Sequence, residues 1–310
     1  MANNFDAGLV QLTDGVQAFI GSGGDSNAGA IRAPEGWIVF DAQQHVFLAK
    51  KFRAALEDLG PRSFLWLVLS HYHLDHTAGN SVFSSDMPIL AHQITLKKLQ
   101  EIFGAKVSRG DSYSEFEKRV RLLFGPNIDE LIPSGDPAWN WFRDRISLPE
   151  YATFIAAPPT HTFADRFTFH LGCRSAVLEY LGPAHCDGDI ILHLPEDGIV
   201  FVGDLLFVGR FPWLGDGDIE GWISALDRVA KLDFAQVVPG HGKPVTLKEL
   251  NEFREMLIAL RDGVSDALKS GMSEDEAVKY VRLSNYKDLP RYPEWMPWNV
   301  RNVYRSLGNP

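Results

Sequence analysis

Cysteine is almost absent from this sequence: Cys173 and Cys186 are the only two in 310 residues. A single pair cannot build a disulfide framework. That excludes the small stapled secreted folds and makes the cytoplasm, a reducing compartment, the expected setting. Positive charge is also scarce. Thirty Lys and Arg stand against forty Asp and Glu, a net of −10, which repels nucleic acid and anionic membrane surfaces. No apolar run is long enough to span a bilayer. The opening MANNFDAGLVQL has neither the basic stretch nor the apolar segment of a secretory signal. Linkers rich in Gly and Ser are missing, and no internal repeat stands out, so one domain over 1–310 is expected. The composition itself, 45% hydrophobic and 23% charged, is that of a packed globular chain and not of a disordered one.

The first sixty residues read as strands with tight turns and then a helix. Val10–Leu12 and Val16–Ile20 flank Thr13-Asp14-Gly15, and Asn27–Ala33 and Trp37–Phe40 flank Pro34-Glu35-Gly36, two hairpin signals. Helical periodicity runs from Gln43 to Leu59 and stops at Gly60-Pro61. Phe64–Leu69 is a continuous apolar run of strand length, expected to be buried on both faces. Residues 92 to about 160 form an insertion, with helices expected over Gln93–Phe103 and Tyr113–Leu123, then a loop rich in Pro, Gly and Trp. Strands return at Phe167–Leu171, Ala176–Leu181, Asp189–Leu194 and Ile199–Val202. A helix from Ile219 to about Val229 and a short strand, Gln236–Val238, follow. The tail from about 247 to 310 is helical, with a capping box at Ser273-Glu274-Asp275-Glu276. Cys173 reads as an ordinary buried small residue.

Chemistry concentrates at Ser70-His71-Tyr72-His73-Leu74-Asp75-His76, directly after the apolar strand. His71 and His73, two apart at a strand end, project to one side, while a loop after them turns Asp75 and His76 toward a second point. Imidazole and carboxylate together suit Zn²⁺, and also Fe or Mn. Three further pieces place polar residues at strand ends or turns: His185 in Gly182–Asp189, Asp204 after Phe201-Val202-Gly203, and His241 in Pro239-Gly240-His241-Gly242. Together they make seven ligands, the number that two adjacent metals need.

With these motifs the sequence resembles the metallo-β-lactamase-fold metallohydrolases, in the branch that includes glyoxalase II and related lactonases. The resemblance runs from about residue 10 to about 245. It rests on an intact His-x-His-x-Asp-His followed by His, Asp and His in the family's order. It implies a four-layer αββα sandwich. It also implies that His71, His73 and His185 hold one metal, that Asp75, His76 and His241 hold a second, and that Asp204 bridges them. Asp41, in Ile38-Val39-Phe40-Asp41, looks like the family's buried Asp that orients metal-binding histidines. Cys186 stands where many members carry Thr. Packing or a contact behind the ligands is favoured for it over a thiolate ligand, because Asp204 already supplies the bridging anion.

Two divalent ions, zinc first and iron or manganese as alternatives, would share a water, lower its pKa toward 7 and yield a hydroxide that attacks an electrophilic carbon. Asp75 could also relay a proton to the leaving group. The expected activity is hydrolysis of an ester, lactone, thioester or amide bond in a small molecule. The alternatives are a phosphodiesterase or nuclease of the same fold, which the negative charge disfavours, and a mononuclear iron sulfur dioxygenase. Substrate clues are aromatic: Trp139, Trp141 and Phe142 in the insertion, Trp213 after Asp204, Trp222, and Tyr292–Trp298. These point to an apolar or aromatic substrate, with core packing or a homodimer contact as the competing role. Arg291 and Arg301 are the candidates for a basic patch. Tyr72 lies inside the motif, and its side chain is expected to point away from both neighbouring histidines.

Overall fold

The turn at Thr13–Val16 closes an antiparallel hairpin of β1 (Gly8–Thr13) and β2 (Val16–Ile20), and the Pro34-Glu35-Gly36 turn closes a second of β3 (Ala28–Arg32) and β4 (Gly36–Phe40). These elements come from a computed structural model that describes residues 7–22, 24–85, 87–103 and 155–308. β4 runs parallel to β5 (Ser63–Leu69), β5 to β6 (Ile89–His92) and β6 to β7 (His161–Phe163), which completes a seven-stranded sheet. The second sheet has five strands in the order β12-β11-β10-β9-β8. They are β8 (Arg166–Leu171), β9 (Arg174–Tyr180), β10 (Ile190–Leu194), β11 (Ile199–Phe201) and β12 (Gln236–Val238).

Period-two alternation sorts each strand's side chains between layers. Ile38 and Phe40 of β4 point into an inter-sheet core with Leu178 and Leu192, while Trp37 and Val39 face helices on the other side. Those helices include α1 (Val46–Glu57), the short α3 (Asn80–Phe83) and α4 (Gln93–Phe103). On the far face of the second sheet, Ile191 and Val200 pack against α5 (Ile219–Val229), α6 (Leu247–Lys269), α7 (Glu274–Tyr280) and α8 (Tyr292–Gly308). Three hydrophobic cores between four layers make the αββα sandwich. The capping box of α7 forms as expected, with Ser273 and Glu276 bonded reciprocally.

Several expectations need correction. α1 starts at Val46, three residues after Gln43, because Asp41 and Gln43 have positive φ (62° and 69°), which no helix accommodates. His45 then caps the helix, accepting from Leu48 N. Asp75 and His76 lie on a single helical turn, α2 (Leu74–Thr77), and not in a loop. β5 is buried on both faces only over Leu67, Val68 and Leu69, while Leu65 and Trp66 are partly exposed. β6 and β7 carry no periodic signal because they are only four and three residues long. Cys173 is exposed, next to Gly172 (φ 74°) at the β8–β9 turn. The expected helix Tyr113–Leu123 and most of the insertion, including Trp139, Trp141 and Phe142, lie outside the described residues.

Candidate metal centre

The strand ends deliver the polar residues to one edge of the sandwich. Asp41 follows β4, Ser70 and His71 follow β5, Asp204 follows β11, and His241 follows β12 after Pro239-Gly240. Two four-membered groups result, each with its ligand atoms within 4.8 Å of one another: His71, His73, His185 and Asp204, and Asp75, His76, Asp204 and His241. Asp204 belongs to both. Its Oδ2 lies 3.4 Å from His185 Nε2 and 4.0 Å from His71 Nε2, while its Oδ1 lies 3.0 Å from His76 Nε2 and 3.4 Å from His241 Nε2. Asp75 Oδ2 is 3.2 Å from His241 Nε2. The structure thus brings together all seven residues named from the sequence, grouped as the resemblance implies.

The outward nitrogens settle what faces inward. Asp41 accepts from Ser70 N and Ser70 Oγ (2.7 Å each) and from His76 Nδ1 (2.9 Å). Since Ser70 Oγ donates to Asp41, its lone pair accepts from His71 Nδ1 (2.9 Å). His185 Nδ1 donates to the Trp213 carbonyl (3.0 Å) and His73 Nε2 to Asp216 Oδ2 (3.1 Å), while His241 Nδ1 lies 3.0 Å from both the Gly24 carbonyl and Arg210 Nη1. With the outer nitrogens so engaged, the five imidazoles turn their other ring nitrogens toward two carboxylates. His73 Nδ1 and His185 Nε2 meet at 2.9 Å, a contact satisfied by a proton between them or by a cation in its place. His71 Nε2, His76 Nε2 and Asp204 Oδ1 are buried without a hydrogen-bond partner. Such a cluster is costly as it stands and fits divalent ions that accept those lone pairs.

The protonation states agree with a cation site. Burial pushes His185 down to about 4, and burial together with neighbouring His76 and His73 holds His71 well below the ordinary histidine value, so both are neutral ligands near pH 7. Burial also acts against a charge on His73, but the Asp216 carboxylate outweighs it and holds His73 up at about 9. His76 is likewise raised, with Asp204, Asp41 and Asp75 outweighing burial. Burial alone would raise the Asp204 carboxyl, but His241 and His76 hold it well below the usual range. A divalent cation held there would replace the protons on His73 and His76 and favour the ionised Asp204 carboxylate.

The chain from Gly21 to His241 matches the family model of the metallo-beta-lactamase superfamily. The chain belongs to that superfamily. Among curated relatives, a linear primary-alkylsulfatase from Pseudomonas sp. is 23% identical over 294 residues, covering 89% of this chain and 54% of the relative. The acyl-coenzyme A thioesterase MBLAC2 of Homo sapiens is 25% identical over 297 residues, covering 90% of this chain and 96% of the relative. Among solved structures, the stereoselective inverting sec-alkylsulfatase Pisa1 from Pseudomonas sp. superposes with a TM-score of 0.69 at 16% identity, covering 98% of this chain and 51% of that one. The chain spans about half the length of the alkylsulfatases it matches.

Within this metallo-beta-lactamase fold several aromatic residues have roles other than those their sequence positions suggest. Trp222 is fully buried, donates Nε1 to the Leu205 carbonyl (2.9 Å) and lies with its ring 5.1 Å from that of His185, so it is a floor under the ligands. Tyr292, Trp295 and Met296 are buried in the helical layer. Trp213 is partly exposed and rests on Trp295 and Trp298, and its carbonyl, not its ring, meets His185. Tyr72 points away from the ligand atoms, but its hydroxyl donates to the same Asp216 oxygen that holds His73. Cys186 is in neither ligand group. Its N and Sγ both donate to buried Asp189 (2.7 and 3.2 Å), and burial pushes its thiol pKa up, away from the thiolate. Arg301 is tied to Glu274 and Asp275 and Arg291 to Glu294, so neither forms a free basic patch.

Sequence reasoning missed Asp216, the Trp213 and Gly24 carbonyls and the role of Ser70. Backbone carbonyls leave no trace in residue type. Asp216, in Gly215-Asp216-Gly217, reads as an ordinary turn. The glycines of the centre carry a further signal. A Cβ on Gly240 would come within 1.9 Å of Asp204 Oδ1. Gly240→Ala must therefore displace the shared carboxylate, at about 1–3 kcal/mol of overpacking. We expect a lower melting temperature and weakened ion binding on the His76–His241 side. Unchanged ion affinity in a chelator competition would contradict that packing.

Proposed function

We propose that this protein is a binuclear, zinc-dependent hydrolase of an ester or thioester in a small apolar molecule, with lactones and amides as neighbouring substrates. The observation that carries the reading is the pair of four-ligand groups sharing Asp204, one oxygen to each. Five imidazoles and two carboxylates suit zinc over magnesium or calcium, with iron or manganese as alternatives. Divalent ions held there would supply Lewis acidity, lowering the pKa of water toward neutrality and offsetting negative charge as it develops on a substrate oxygen.

The chain's own residues do the rest. His71, His73 and His185 would hold one ion, Asp75, His76 and His241 the other, and Asp204 both. Asp41, Asp216 and the Trp213 and Gly24 carbonyls fix the imidazole orientations. Asp75 has its side chain 36% exposed, and His76 and His241 outweigh burial to hold it ionised. Its partly exposed carboxylate is the group we place to relay a proton to the leaving group. Trp213, partly exposed at the edge of the centre, and Trp139, Trp141 and Phe142 are the residues we place along the apolar part of the substrate. A cytoplasmic, reducing setting fits the unpaired Cys173 and Cys186. Among the described residues no helix is long and apolar enough to cross a membrane.

The thioester reading is supported by similarity to the acyl-coenzyme A thioesterase along nearly the full length of both chains. Similarity to an alkylsulfatase over 89% of this chain favours a sulfate ester as the second reading. A panel with one alkyl tail presented as thioester, carboxylate ester, sulfate ester and phosphodiester distinguishes them. We expect the highest kcat/KM on the thioester or carboxylate ester, and activity confined to the sulfate ester would replace the first reading by the second. Turnover of the phosphodiester alone would contradict both.

A further inference from the structure

The C-terminal helix enters the metal centre through one buried side chain. Asn299 of α8 is fully buried. Its Oδ1 accepts from Leu214 N (2.9 Å) and its Nδ2 donates to the Pro212 carbonyl (2.9 Å). The carboxamide thus grips the backbone on both sides of Trp213, whose carbonyl accepts from His185 Nδ1 (3.0 Å). The same helix reinforces the grip. Trp295 and Trp298 pack on the Trp213 ring with centroids 5.8 and 5.7 Å apart, and Asn302 Nδ2 donates to the Gly217 carbonyl (2.9 Å). Asp218 N closes the segment onto the Ala184 carbonyl, next to His185 (2.8 Å).

We propose that Asn299 is a positioning residue for the ion held by His71, His73 and His185, acting through the Trp213 carbonyl on His185. This rests on the two-ion reading above. A buried carboxamide needs all its partners, and here they are the two peptide groups that set the direction of one carbonyl. That carbonyl decides which nitrogen of His185 carries the proton and where Nε2 points. The other ion's imidazoles are held by groups that Asn299 does not bond, His76 by Asp41 and His241 by the Gly24 carbonyl and by Arg210, which packs on Trp295. The effect is therefore specific to one side. Asn299 also lies beyond Gly21–His241, the part of the chain matched by the superfamily model, so the tail contributes to a centre whose ligands all lie within that part.

The test compares Asn299→Ala with Val303→Ala, a cavity one turn along the same buried helix face at a side chain that makes no hydrogen bond. Zinc alone is titrated into metal-free full-length protein against a competing chelator, giving two binding constants. The constant lost in His185→Ala marks the first site. Asn299→Ala should weaken zinc at that site about 10–100-fold and leave the other within about twofold. Val303→Ala, compared at equal loss of melting temperature, should weaken neither selectively. Equal loss at both sites, the same selective loss in Val303→Ala, or no loss in Asn299→Ala overturns the clamp. Wild-type protein that binds no zinc overturns the metal-centre reading as well, which separates that failure from failure of the clamp alone.

Discussion

Asp204→Ala is expected to lose at least about a hundredfold in hydrolytic activity while keeping its fold. The side chain is buried at the edge of the sandwich, and its two oxygens face different groups, Oδ2 toward His185 and His71 and Oδ1 toward His76 and His241. Removing it leaves imidazole lone pairs with no carboxylate between them and separates the two ion sites. Gly203 already supplies the positive φ (52°) of the turn, so circular dichroism should be unchanged. Near-normal turnover in a folded Asp204→Ala protein would contradict the shared-ligand role.

Asp41→Ala is expected to act on both stability and metal binding. Asp41 adopts a left-handed backbone (φ 62°) that a non-glycine residue occupies only when its surroundings enforce it. Three hydrogen bonds to its carboxylate, from Ser70 N, Ser70 Oγ and His76 Nδ1, do so. Truncation leaves the buried Ser70 amide unpaired and frees both His71, through Ser70, and His76. A loss of about 3 kcal/mol in unfolding free energy follows from a lost charged hydrogen-bond network, with ion affinity down about 10–100-fold. Asp41→Asn can still accept from Ser70 N, so it should lose less stability than Asp41→Ala. If Asp41→Ala melts within a degree of the wild type, the strained turn is held by something other than its carboxylate.

Much of the fold was legible because the residues that build it carry local signals. The two hairpins announce themselves through Asp14-Gly15 and Glu35-Gly36 at their turns, and α4, α5 and β12 fall where periodicity puts them. β6 and β7 did not announce themselves. Three or four residues hold at most two periods of alternation, and tertiary pairing, of β6 with β5 and of β7 with β6, decides their state. The start of α1 was misplaced because its delay comes from strain at Asp41 and Gln43, which is imposed by the centre and not by propensity.

The seven-residue cluster was legible for a chemical reason. Three His and an Asp within six residues have few other uses, and the later His, Asp and His occur where strands end. What holds those ligands was not. Asp216 looks like any Gly-Asp-Gly turn, the Trp213 and Gly24 contacts are backbone atoms, and Asn299 lies 114 residues from the histidine it serves. For the aromatic residues the sequence left pocket and packing open. Burial gives Trp222 and Trp295 the packing role, as the floor of the site and its supporting layer.

The central claim is that one buried carboxylate joins two ion sites in each chain. Metal content by plasma spectrometry, after reloading metal-free protein with zinc and removing excess, tests it most directly. The account predicts two equivalents per chain, falling in Asp204→Ala. Saturation at one equivalent or fewer in correctly folded wild-type protein would contradict it.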